Sequence, residues 1–218
     1  SDKVYGVSLD SLNYTFPTPS FDDIPDPRCN TVSFVKKDGL LKECRNVVAI
    51  SEKYICYAVR GTLLRVIHTS SGEKTLLRGH ESHVLDLKFS PVDRTLLCSV
   101  DAGSNTNASA HVFLWQMHDS VELNYSVICQ FPFVASFVQP HPLMAHVWAV
   151  SHSNRVAVFS TLMSSLSPQS YDDFALQTTV DGDVIDMSYS SDGKFLAISV
   201  SSSLKTYGTS GGERERER

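Results

Sequence analysis

A chain of 218 residues with 42% hydrophobic and 20% charged residues is long and apolar enough to bury the core of one ordinary domain. Its formal net charge of −5 divides into −3 over residues 1–30, +4 over 31–100, −6 over 101–212 and zero over 213–218, so no segment argues nucleic-acid binding by charge alone. No apolar run approaches the roughly 18 residues of a spanning helix, which speaks against a membrane partner, and the start lacks the basic-then-apolar pattern of a secretory signal.

Residues 1–30 read as a disordered linker. Pro17, Pro19, Pro25 and Pro27 alternate with Ser, Thr and Asp, and proline offers no ladder donor and biases its predecessor to extended conformations. From Cys44 the texture changes to short β-type runs: RNVVAI (45–50), KYICYAV (53–59), LLRVIHT (63–69) and EKTLLR (73–78). Turns at Arg60-Gly61 and Ser70-Ser71-Gly72 separate the later ones. Helical periodicity is absent throughout.

The next stretch, Leu76 to Trp115, is the most specific in the chain. A Gly79-His80 pair precedes the alternating strand HVLDLKF (83–89). A turn at Ser90-Pro91-Val92-Asp93 leads to the apolar strand TLLCSV (95–100), closed by Asp101. The small, polar residues 102–110 form an enlarged loop, and VFLWQ (112–116) and YSVICQF (125–131) follow. Weaker strands come next: VASFVQP (134–140), MAHVWAVS (144–151) and RVAVFST (155–161). A Ser-rich loop (162–173) and FALQTTV (174–180) complete that unit. Residues 179–201 then repeat 79–101 at an offset of 100. Val84, Asp86, Ser90, Leu96, Ser99 and Val100 match Val184, Asp186, Ser190, Leu196, Ser199 and Val200. That spacing is two periods of roughly 40–50 residues.

Gly-His, two strands ending in Ser-x-Asp and a third carrying Trp resemble a WD40 blade. The expected fold is therefore all-β: a partial WD40-type β-propeller of about three to four blades over residues 31–207, with disordered tails at 1–30 and 208–218. The resemblance implies a buried hydrogen-bonded chain of His80, Ser99, Asp101 and Trp115. The chemistry suits it, because indole N–H only donates, a hydroxyl relays and a carboxylate fixes the imidazole. The same His, Ser and Asp are the residue types of a hydrolytic triad. No Gly-x-Ser-x-Gly elbow surrounds Ser99, so the structural reading is preferred and no catalytic residue is assigned. The loop residues Arg78, Glu81, Ser82 and His83 are the candidate partner-binding set.

Five cysteines, Cys29, Cys44, Cys56, Cys98 and Cys129, contain no C-x-x-C pair, and Cys56 and Cys98 read as small buried hydrophobes. His80, His83, His141, His146 and His152 lack a metal-binding spacing. No metal and no cofactor is expected.

The run KYICYAVRGTLLRVIHTSSGEKTLLRGHESHVLDLKFS (53–90), with LLCSVD and VFLW after it, resembles the N-terminal propeller of the enhancer of mRNA-decapping protein 4 family, called Varicose in plants. That resemblance implies a cytoplasmic, non-enzymatic scaffold of processing bodies that holds the decapping enzyme and its activator. In that family much of the factor binding lies in a long C-terminal region that this chain lacks. A WD40 adaptor of ubiquitin ligation, vesicle coats or chromatin is the alternative, since fold does not fix function, and a propeller hydrolase is the remote one. RNA contact through Lys36, Lys37, Lys42, Arg45 and Lys53 is a weaker candidate, because a solvated edge beside a linker is the preferred reading of the same residues. Three departures stand out. Gln116 replaces the Asp of the Trp-Asp pair, Thr179-Val180 replace Gly-His, and Ser201 replaces the turn Asp. With three and a half blades, open strand edges predict a poorly soluble or oligomeric chain.

Overall fold

The computed structural model describes residues 46–103, 110–118, 122–162, 170–174 and 176–201. Strand-forming runs and turns alternate in it much as the sequence pattern requires. Among the described residues there are fourteen strands, one short 3-10 turn at Tyr171–Asp173 and no α-helix.

The strands form three four-stranded antiparallel sheets and one two-stranded sheet, each in sequence order. Blade 1 comprises β1 (Val48–Ile50), β2 (Tyr54–Val59), β3 (Leu63–His68) and β4 (Lys74–Leu77). Blade 2 comprises β5 (Val84–Phe89), β6 (Leu96–Asp101), β7 (Val112–His118) and β8 (Asn124–Phe131). Blade 3 comprises β9 (Phe137–Pro140), β10 (Val147–His152), β11 (Arg155–Ser160) and β12 (Leu176–Thr179). The fourth unit holds β13 (Asp183–Tyr189) and β14 (Leu196–Ser201). Tight connections follow from local chemistry. Arg60 and Gly61 both take positive φ (54° and 80°) where blade 1 turns between β2 and β3, a region that a glycine enters without steric cost.

Because side chains alternate across a strand, each sheet offers two apolar faces, and the blades stack through them. One core lies between blades 1 and 2 and includes Tyr54, Cys56, Leu64, Leu87 and Trp115. The next, between blades 2 and 3, includes Cys98, Leu114, Phe131, Trp148 and Phe159. A smaller one joins blade 3 to the last hairpin through Phe137, Ala149, Val156, Val184 and Met187. Cys56 and Cys98 are buried free thiols within these cores, and burial pushes both well above the ordinary thiol range. Polar stitches join the same units. His141 Nε2–H donates to Gly193 O (3.1 Å), while its Nδ1 accepts from the N–H groups of Leu143 and Met144. At Gly193, φ is +71° and a Cβ would stand 2.2 Å from the His141 ring, so this turn admits only glycine without rearrangement.

The repeat needs one correction. In blade 2, Leu87 pairs with Ser99 and Phe89 with Leu97. In the last hairpin, Met187 pairs with Ile198 and Tyr189 with Leu196. The first strands therefore align at an offset of 100, and both are irregular between the same positions, Val84/Asp86 and Val184/Asp186. The second strands slip by one residue, because the hairpin connection is one residue shorter in the last unit. A one-residue slip sends every side chain to the opposite face. Ile198, not Ser199, takes the place of Ser99, and Val200, not Ser201, takes the place of Asp101.

Candidate functional site: the His80 network and the loop it holds

The residues Arg78 to His83 connect the outer strand of blade 1 to the inner strand of blade 2. Arg78 and Glu81 are exposed, Ser82 and His83 are half-buried, and His80 points inward and is buried. A six-residue connection alternating between exposed and buried positions needs anchoring, and the anchor is a hydrogen-bonded chain into blade 2.

Trp115 Nε1–H donates to Ser99 Oγ at 2.8 Å. His80 Nε2 lies 2.7 Å from the same oxygen, and His80 Nδ1 lies 2.8 Å from Asp101 Oδ2. A carboxylate only accepts, so Nδ1 carries the proton. The neutral imidazole then accepts the Ser99 hydroxyl proton at Nε2. Every proton runs one way along the chain, Trp115 to Ser99 to His80 to Asp101. Aromatic packing holds the rings in place. Phe113 stacks on Trp115 (centroids 5.0 Å apart, 14° between planes) and meets the edge of His80 at 4.6 Å. Gly79 lies directly over this pair: a Cβ there would be 2.8 Å from Phe113 Cε1 and 3.2 Å from Trp115 Cη2. The glycine before the histidine is thus required by close approach.

Asp101 does more than hold His80. Its second oxygen accepts from His111 Nδ1–H (2.8 Å) and from the Gly103 backbone N–H (2.8 Å). His111 also takes the Asp101 N–H on its carbonyl (3.0 Å), and Ala102 N–H donates to His83 O (2.9 Å). One carboxylate therefore fixes the two ends of the 102–110 insertion and the 78–83 loop together. Residues 104–109 lie outside the described residues. His111 is buried and was missed in the sequence. The available signal was a lone histidine at the far end of an insertion that starts at Asp101.

The connectivity of Ser99, His80 and Asp101 is that of a hydrolytic triad, but the surroundings are not. Ser99 is 0% exposed, its oxygen is already occupied by the Trp115 indole, and it lies mid-strand between Cys98 and Val100, both buried. A nucleophile needs a free lone pair facing a substrate-sized space and donors for an oxyanion. The arrangement supplies hydrogen bonds to a loop instead.

The other singled-out residues lie apart from this network. Lys53 sits in the exposed β1–β2 connection, while Lys36, Lys37, Lys42 and Arg45 lie outside the described residues, as do Cys29, Cys44 and the stretches 1–30 and 208–218. Among the described residues no group of three or more His, Cys, Asp or Glu side chains is placed to hold a metal. His152 Nδ1 meets Ser136 Oγ at 3.0 Å. An open apolar groove of about 370 Å³ runs beside β14, lined by Val156, Val158, Leu176, Leu196 and Ile198.

No protein-family model matches the chain. Enhancer of mRNA-decapping protein 4 of Danio rerio is 41% identical over 76 residues, which is 33% of this chain and 5% of the relative. The proteins of the same name from Xenopus laevis and Homo sapiens are 35% identical over 79 residues and 31% over 77. The match thus spans about a twentieth of those relatives' length. Among solved structures, the WD40 domain of Toxoplasma gondii coronin matches 78% of this chain and 42% of its own, with a TM-score of 0.53 and 15% identity. The β-propeller domain of Myceliophteria thermophila Cps50 (Swd1) matches 70% of this chain and 48% of its own, at 0.50 and 9%. The chain therefore has the fold of WD40 propeller blades, and over a third of its length it resembles enhancer of mRNA-decapping protein 4.

Proposed function

We propose that this chain is a non-enzymatic protein-binding platform of an mRNA-decapping scaffold, acting in the cytoplasm in processing bodies alongside the decapping enzyme and its activator. The observation that carries this reading is the 41% identity over 76 residues with the Danio rerio protein. The site chemistry fits it. A propeller loop held by a buried carboxylate presents Arg78 and Glu81 on a rigid backbone, which lowers the ordering cost of binding a protein partner. The residues proposed to meet that partner are Arg78, Glu81, Ser82 and His83, while His80, Ser99, Asp101 and Trp115 act as their support.

Affinity purification of the tagged protein from cells tests this proposal. Decapping enzyme and its activator are expected in the eluate. An Arg78→Glu/Glu81→Arg variant is expected to retain its melting temperature and lose at least tenfold of a recovered partner. An eluate with coat, ubiquitin-ligase or chromatin subunits and no decapping factor contradicts the reading.

A further inference from the structure

Among the described residues two non-glycine residues take positive φ, Arg60 (54°) and Ser153 (51°). Both sit in the turn between the second and third strands of a blade, at the end of the propeller that carries the 78–83 loop. Each turn is joined to the next blade in the same way: Gly61 O accepts from Val84 N–H (2.8 Å), and Ser153 O from Val184 N–H (2.7 Å). A residue with a Cβ enters this region of backbone space at a cost, and two successive positive φ values favour Asn-Gly. Ser153 has a local reason to stand there, because its hydroxyl donates to Asp183 Oδ1 (2.6 Å). Arg60 has none: its side chain is exposed and meets no hydrogen-bond or ion-pair partner among the described residues.

Arg78 is likewise exposed, and its side chain meets no such partner among the described residues. Other cations are tied: Arg94 to Glu52, Arg155 to Asp172, Lys194 to Asp192 and Lys88 to Gln139. Strand register brings the two arginines near each other. Val59 pairs with Leu63, and Leu64 with Leu77. Carried one residue further, that register sets Arg78 beside Leu63, two strand spacings or about 10 Å from the strand that leads into Arg60. An arginine fork holds a carboxylate through two parallel hydrogen bonds. Alternate side chains of an extended peptide stand about 7 Å apart, a separation that two long, flexible side chains can match.

We propose that Arg60 and Arg78 together anchor an acidic, extended segment of the partner, each taking one carboxylate. This rests on the reading of the 78–83 loop as the partner site; it adds Arg60 to that site and names the chemistry of the occupant. The charge around the pair favours a peptide over RNA. Glu81 lies three residues along the same loop, and Asp181 and Asp183 are exposed where the chain enters β13 at the same end. A polyanion long enough to cross that end would run onto these carboxylates, whereas a short acidic segment stays over blade 1.

Panning the immobilised full chain against a random peptide library tests the charge preference without assuming which protein is bound. Peptides with Asp or Glu at alternate positions are expected to be selected. By fluorescence anisotropy, a labelled copy of one is expected to bind Arg60→Asn and, separately, Arg78→Gln roughly tenfold more weakly than wild type. Because asparagine suits the positive φ, Arg60→Asn is expected to raise the melting temperature while it weakens binding, which separates loss of a contact from loss of the fold. A selection with no acidic enrichment overturns the proposal. So does a peptide held as tightly by Arg60→Asn as by wild type, or a labelled oligouridylate that outcompetes the selected peptide. Decapping factors recovered alike with wild type and Arg60→Asn would overturn this inference and leave the decapping reading standing. Acidic peptides held at Arg60 with no decapping factor recovered would support it and sink that reading.

Discussion

Replacing Asp101 by alanine is expected to be among the most damaging single changes in blade 2. It strands the Nδ1–H groups of His80 and His111, both buried, and the Gly103 N–H. At roughly 1–3 kcal/mol for each buried donor left unpaired, the expected loss is about 3–5 kcal/mol. For a domain of this size that lowers the melting temperature by roughly 10 °C. Because Asp101 ties the 78–83 loop to the insertion, the amide of Ala102, bonded to His83 O, should also lose its protection from hydrogen exchange. His80→Ala removes only one arm of the network and is expected to cost less. Calorimetry of the two variants side by side ranks them; an Asp101→Ala protein as stable as His80→Ala would show that His111 and Gly103 draw nothing from the carboxylate.

Stability is expected to fall as pH rises from about 4 to about 6, and Asp86 is the cause. Burial pushes its carboxyl up from 3.8 to about 6, against the smaller opposing effects of the Val138 N–H, the Lys88 ammonium, the Leu87 N–H and the Asn46 side chain. Between those two values the folded chain holds a proton that the unfolded chain has released. The folded state is therefore favoured at the acid side of this window and loses that advantage as pH passes the folded value. A shift of that size corresponds to about 3 kcal/mol. Asp86→Asn keeps a carbonyl oxygen for the Val138 N–H and has no charge to bury, so at pH 7 it is expected to be more stable than wild type by roughly 1–3 kcal/mol. Urea denaturation of both proteins at pH 4.5 and pH 7 measures the effect. Equal pH slopes in the two proteins would contradict it.

Much of the fold was legible because β-structure leaves a local trace. Alternation in HVLDLKF, the apolar run LLCSV and the turn residues Arg60-Gly61 and Ser70-Ser71-Gly72 each mark a feature that the backbone then adopts. The Gly-His pair and Ser-x-Asp were legible as a motif, since the hydrogen bonds between the loop before β5 and strand β6 fix their spacing. Less local features were not. The displacement of β14 against β6 follows from a hairpin connection one residue shorter, and chance identities such as Ser99/Ser199 concealed it. His111 is brought to Asp101 by the closure of an insertion, which no periodicity encodes. Asp86 looked like any polar residue on an alternating strand. Only the irregularity beside it aims the carboxylate at the next blade.

The central claim is that a constellation with triad connectivity holds the 78–83 loop, proposed above to meet a partner, and is a structural network in place of a hydrolytic site. Incubation of the folded protein with a fluorophosphonate probe, followed by mass analysis of the peptide carrying Ser99, tests it most directly. No adduct on Ser99 is predicted, because its oxygen is buried and bonded to Trp115 and His80. Stoichiometric labelling of Ser99 in the native protein, abolished by His80→Ala, would contradict the account.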